Sequence, residues 1–130
     1  DISYRFTFAS GWQETLSVSI DSETALQSGL PEVDACPDWS RLDAAKCPHC
    51  TLDPETQTIC PAAYSLLNVV SAFNDVDSHE TVNLLVEMPD RTVFQKTSLQ
   101  RALGSLVGLL LATSGCPHLG YFRPMARFHL

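Results

Sequence analysis

The sequence predicts an α+β fold: an antiparallel sheet of two β-hairpins, two helices on one face, and a long cysteine-rich loop, in the order β-β-loop-α-β-β-α. Three observations carry this prediction. Apolar and polar residues alternate over short stretches near residues 2–8, 16–20 and 82–88, with a β-branched, aromatic-containing run at 92–97. Two other stretches, 61–73 and 98–113, repeat apolar residues at helical spacing. Between the first strands and the first helix, residues 21–58 keep no period and hold Pro31, Pro37, Pro48, Pro54 and three of the five cysteines. Strand pairs followed by single helices fit an antiparallel sheet covered on one side.

Each element has its own signal. Ile2, Tyr4, Phe6 and Phe8 alternate with Ser3, Arg5 and Thr7, and Leu16, Val18 and Ile20 alternate with Ser17 and Ser19. If these two strands pair with coincident apolar faces, Phe6 lies opposite Leu16 and Tyr4 opposite Val18, with the loop centred on Gly11. The loop over 21–60 is too long to stand unanchored inside a compact domain. Leu42, Trp39 or a bound metal would anchor it. Pro61 suits a first helical position, and Ala63, Leu66, Leu67, Val70 and Phe73 line one face of a helix over 61–73. Val82, Leu84, Val86 and Met88 then alternate, Pro89-Asp90 turns the chain, and residues 92–97 complete a second hairpin with Leu85 opposite Phe94. Ser98 caps the second helix and Gly115 ends it. Residues 106–112 are apolar nearly all round, which places that helix deep in a core or an interface.

The 130 residues are 45% apolar and 18% charged, with net charge −7 and eight prolines. That length and composition suit a single domain over residues 1–130 with a real core, and exclude disorder. No apolar stretch approaches the roughly 20 residues that span a bilayer. Residues 1–60 carry ten acids and three bases, residues 61–130 five of each, and no acid follows Asp90. The overall acidity argues against a nucleic-acid binder, which clusters Lys and Arg. The acid-free tail Arg123-Pro124-Met125-Ala126-Arg127-Phe128-His129 reads as an amphipathic segment packed on the sheet with its arginines outward. Its apolar finish at Leu130 reads as a chain that continues.

The cysteines are organised. Cys36, Cys47, Cys60 and Cys116 are each followed by proline, and only Cys50 is not. Proline stiffens the backbone beside a ligand and removes an amide that would need a partner. Cys47-Pro48-His49-Cys50 is a C-x-x-C knuckle, a spacing that lets two thiolates grip one ion from a tight turn. Cys60 precedes the first helix and Cys116 follows the second. Cys47, Cys50, Cys60 and Cys116 are therefore the expected ligands of one metal, zinc first, with Cys36 or His118 able to replace one member. The same four thiolates would also hold an iron–sulfur cluster, although the spacing matches no standard cluster motif. An odd number of cysteines fits a reducing cytoplasm better than a disulfide-stapled secreted domain.

Cys-Pro-His-Cys also resembles the active-site tetrapeptide of DsbA-like thiol oxidoreductases, where the first cysteine starts a helix. Pro54 and the polar residues around the knuckle speak against such a helix. A Cys116–His118 nucleophile pair would face the negative end of a helix dipole, which disfavours thiolate formation. No phosphate-binding, zinc-protease or serine-hydrolase motif occurs, so no catalytic constellation is recognised.

Taken together, Cys47-Pro48-His49-Cys50, Ser114-Gly115-Cys116-Pro117-His118 and Arg123-Pro124-Met125-Ala126-Arg127-Phe128-His129-Leu130 resemble a family of uncharacterised bacterial proteins. The resemblance implies a bacterial intracellular protein and assigns no activity. The expectation is a metal-binding, non-enzymatic interaction module whose second helix and C-terminal segment serve packing, a protein partner or self-association.

Overall fold

The structure is a computed structural model that describes residues 1–30 and 36–128, with the side chains of Arg127 and Phe128 left aside. Pro31, His129 and Leu130 lie outside the described residues. Five strands form one antiparallel sheet: β1 (Ile2–Phe8), β2 (Gln13–Ile20), β3 (Gln27–Ser28), β4 (Thr81–Glu87) and β5 (Thr92–Ser98), in the order β3-β2-β1-β4-β5. Of the helices α1 (Pro61–Ser65), α2 (Leu67–Phe73) and α3 (Leu99–Ala112), α2 and α3 cover one face and α1 packs beside them. The expected α+β class and both hairpins are present.

The alternation does what it implies. Tyr4, Phe6, Phe8, Val18, Val82, Leu84 and Val86 point to one side and meet Val69 and Phe73 of α2 and Leu99, Ala102, Leu106, Leu109 and Leu110 of α3. Phe6 and Phe73 meet edge to face at 4.9 Å between ring centroids. The Tyr4 hydroxyl is carried into this core and hydrogen-bonds Ser105 of α3; burial pushes its pKa up to about 12, the Ser105 contact offsetting part of the rise. The opposite face stays wet, with Leu85 opposite Phe94 as read from the sequence and Phe94 exposed.

The first hairpin differs from the expected register. Tyr4 pairs with Leu16, Phe6 with Glu14 and Ile2 with Val18. The loop is Ala9-Ser10-Gly11, closed by the Phe8 N–H donating to the Trp12 carbonyl and the Gly11 N–H donating to the Phe8 carbonyl, both at 2.9 Å. Gly11 has φ +90°, so it is the left-handed last residue of a three-residue loop rather than its centre. The slip is two residues, which preserves the apolar face. At the loop's foot Trp12 stacks on Phe8 at 4.6 Å.

Three further departures follow from side-chain hydrogen bonds and packing. The helix expected over 61–73 is two, because Ser65 donates its hydroxyl back to the Ala62 carbonyl at 2.7 Å and the chain tightens at Leu66. The break rephases the second piece, so Val69 and Phe73 are buried while Val70 is exposed. The fifth strand, β3, lies inside the stretch read as aperiodic. Its Gln27 donates through Nε2 to the Leu110 carbonyl at 2.5 Å and to Thr113 Oγ1 at 2.9 Å, and through its backbone N–H to the Thr113 carbonyl at 3.0 Å. These bonds satisfy carbonyls that the end of α3 leaves open. Finally, the C-terminal segment Leu119–Phe128 is a 3₁₀ run packed mainly on α3, and its Arg123 is half-buried, with Nη1 donating to the Thr24 carbonyl at 3.5 Å. Ser98 caps α3 as expected, accepting from the Arg101 N–H.

Candidate functional site: the cysteine loop and the turn after the third helix

The loop is closed at a neck. A 3₁₀ turn, Asp38–Ser40, buries Ser40, whose hydroxyl donates to the Pro37 carbonyl at 2.6 Å. Arg41 and Ile59 then form an antiparallel bridge. The Leu42 N–H donates to the Thr58 carbonyl at 2.9 Å and the Cys60 N–H to the Ser40 carbonyl at 2.8 Å. Leu42 is 1% exposed and fixes the neck, whereas Trp39, the other expected anchor, is 43% exposed. Beside the neck the Arg41 guanidinium meets the Asp43 carboxylate through two contacts of 3.1 Å; this holds the carboxyl below its usual range in a fully exposed pair. The neck anchors the loop through backbone hydrogen bonds and the buried Leu42 side chain.

Residues 43–57 project from it without a buried side chain. Within them Cys47 and Cys50 span a turn in which the Cys50 N–H donates to the Cys47 carbonyl at 3.0 Å. Cys47 is exposed and Cys50 half-buried. No helix begins at Cys47, so the dipole that activates the first cysteine of a DsbA-like site is not supplied here.

Cys60 is the N-cap of α1 with Pro61 at its first position, and its carbonyl accepts the Tyr64 N–H at 2.9 Å. Cys36 is half-buried just before the 3₁₀ turn. Beyond α3 the chain reverses at Gly115, φ +91°, and enters Cys116-Pro117-His118. The Cys116 carbonyl accepts the Gly120 N–H at 2.9 Å, which sets the following 3₁₀ run.

One contact joins these distant segments. The Nε2 of His118 hydrogen-bonds the carbonyl of His49, the third residue of the knuckle. The two imidazole rings lie 6.5 Å apart at 70°. The Cys47–Cys50 knuckle and the Cys116–His118 turn are thus brought side by side, while Cys60 and Cys36 belong to the neck. Among the described residues, no three His, Cys, Asp or Glu side chains are gathered as a metal ion requires. The Nε2 of His118 is engaged by the His49 carbonyl and not by Cys116.

Neither the neck nor the His49–His118 contact is announced by spacing. The only sequence sign of the contact is that His follows Cys-Pro at both places. Two cavities also escaped the sequence. A cleft of about 370 Å³ opens between β2, β3 and the helices, with Ser17, Gln27, Ser28 and Asn68 among its uncharged lining. An apolar groove of about 290 Å³ runs between Leu111 of α3 and Leu119, Phe122 and Met125 of the 3₁₀ segment. Among the described residues no helix is long and apolar enough to cross a membrane.

Comparison with curated proteins and with solved structures finds no match. A family model does match: over residues 2–130 the chain belongs to a family described as a domain of unknown function, DUF6901.

Proposed function

We propose that the domain binds a structural metal, zinc, through the thiolates of Cys47, Cys50 and Cys116, with Cys60 completing the tetrahedron in the all-sulfur form of this reading. The single observation that carries it is the contact between His49 and His118, which holds the knuckle against the Cys116 turn. Three further points support it: the C-x-x-C spacing, the proline after four of five cysteines, and a loop excursion with no core of its own. Ligation would draw the excursion onto the end of α3, adding metal-binding free energy to a region that lacks buried surface. The odd cysteine count and the family resemblance favour a reducing bacterial cytoplasm as its setting.

The test is elemental analysis for zinc and iron on protein purified without oxygen or chelator. The expected result is about one zinc per chain and no iron. Iron at cluster stoichiometry would instead favour the iron–sulfur reading of the same cysteines, with visible absorption that bleaches on reduction. Absence of both metals would overturn the clamp.

The module is proposed to act by binding a protein partner or a second copy rather than by catalysis. Tyr121, Phe122 and Met125 are 84%, 56% and 65% exposed on the segment packed against α3, and they favour a contact surface there. Sedimentation of the intact protein beside a Phe122→Ser, Met125→Ser variant checks the self-association form, which predicts a concentration-dependent mass that the variant loses.

A further inference from the structure

We infer that the fourth ligand of the proposed zinc site is His118, through Nδ1, and that Cys60 is a structural cap outside the site. The inference rests on the metal reading above and changes its donor set from four sulfurs to three sulfurs and one nitrogen.

The argument begins with the two nitrogens of His118. A metal-bound imidazole almost always donates its other ring N–H to a carboxylate or a backbone carbonyl, which fixes both tautomer and ring orientation. Nε2 of His118 already has such a partner, the His49 carbonyl. With the proton on Nε2, Nδ1 carries the lone pair that a metal uses. The acceptor is also well placed in the chain, since His49 lies between Cys47 and Cys50. The knuckle therefore orients the ring that would complete its own site.

Cys60 is held elsewhere. Its N–H donates to the Ser40 carbonyl and its carbonyl accepts the Tyr64 N–H, which fix it in the neck where the chain enters α1. No contact joins it to the knuckle or to residues 116–118 among the hydrogen bonds of the described residues. Cys116 and His118 are separated only by Pro117, so one short turn delivers two donors while the knuckle delivers the other two. Because the donors are not yet gathered, ligation closes residues 43–57 against that turn, with the His49–His118 contact as its first point of closure. The donor set also selects the metal. Three cysteines with one histidine are a known structural zinc set, whereas iron–sulfur clusters usually take four thiolates.

The experiment is cobalt(II) and zinc titration of the full chain and of Cys60→Ser, His118→Gln and His118→Cys, read by thiolate-to-cobalt charge-transfer absorption. Expected are a three-thiolate intensity in the unaltered protein and unchanged affinity and spectrum in Cys60→Ser. His118→Gln should lose more than about tenfold in affinity, the lower bound for disturbing even an outer-shell partner. His118→Cys should restore binding with a four-thiolate spectrum, which separates ligation from a folding defect at an exposed position. A four-thiolate spectrum in the unaltered protein, or loss of metal in Cys60→Ser with retention in His118→Gln, would overturn the assignment while leaving the zinc clamp intact. Failure of the unaltered protein to bind either metal overturns the clamp itself, and this assignment with it.

Discussion

In the sheet layer Tyr4, Phe6, Leu84, Val86 and Leu106 are 1% exposed or less, and β1 is paired on both sides along most of its length. In residues 43–57 no side chain is buried, and the backbone is held by isolated turns between a neck at one end and the His49–His118 contact at the tip. The two regions are joined through α1 and through the turn after α3. Burial makes the first cooperative, because each side chain there touches several others. The second has few neighbours to lose and opens at low cost. A loop of this kind is poor at sustaining itself and well suited to being ordered by a ligand. That contrast is the physical basis for assigning stability to the sheet and the proposed metal site to the loop.

The contrast can be broken at its strong end first. Phe6→Ala removes a ring packed against Phe73 and should cost about 3–5 kcal/mol in urea unfolding. A loss below 1 kcal/mol would mean that the sheet layer is not the stabilising core. Alkaline pH probes the same region without mutation. Tyr4 ionises near pH 12 when folded and near its ordinary value of 10 when unfolded, so the folded state holds the proton more tightly. Stability should be intact below pH 10 and fall as pH rises toward 12, by roughly 3 kcal/mol at most. Tyr4→Phe should flatten that limb, and an unchanged pH profile would refute the burial argument.

The joints between the regions come next. Leu42→Ala should cost about 2 kcal/mol and raise hydrogen exchange at the amides of Leu42 and Cys60, since Leu42 is the one buried apolar side chain at the neck. Gln27→Ala leaves the Leu110 carbonyl without its amide partner and should cost about 1–2 kcal/mol, with fraying confined to the last turn of α3. The smallest effect belongs to the loop. Cys47→Ala, measured with a chelator present, should change stability by no more than about 0.5 kcal/mol, as exposed substitutions do. The same variant measured with zinc should lose whatever the metal adds. Protease sensitivity within 43–57 that is indifferent to zinc would erase the distinction between the two regions.

Strand existence was legible because a period of two over Ile2–Phe8 and Thr81–Glu87 has one physical reading, a sheet with one buried face. The cap at Ser98 was legible for a similarly local reason. The hairpin register was not, because moving Gly11 from the centre to the end of its loop shifts pairing by two residues and leaves the apolar faces aligned either way. The break at Leu66 was hidden in a serine whose hydroxyl turned back onto Ala62, an outcome that helical periodicity does not encode. The strand at Gln27 is two residues long and owes its place to carbonyls more than eighty positions away, so no window of neighbouring residues contains its cause. In the candidate site, the knuckle and the Cys-Pro repeats were visible as spacing, but which cysteine keeps company with which was not.

The linear order of residues determined what each segment can be. Alternation makes a strand, proline at position 61 opens a helix, and C-x-x-C makes a two-thiol turn, since each depends only on chain geometry within a few residues. Tertiary structure alone decided which segments meet. It set Gln27 on the end of α3, closed a neck between Arg41 and Ile59, and placed His118 against His49 across 69 positions. Those contacts follow from where the buried core positions the ends of its elements, and packing in three dimensions has no counterpart in spacing along the chain.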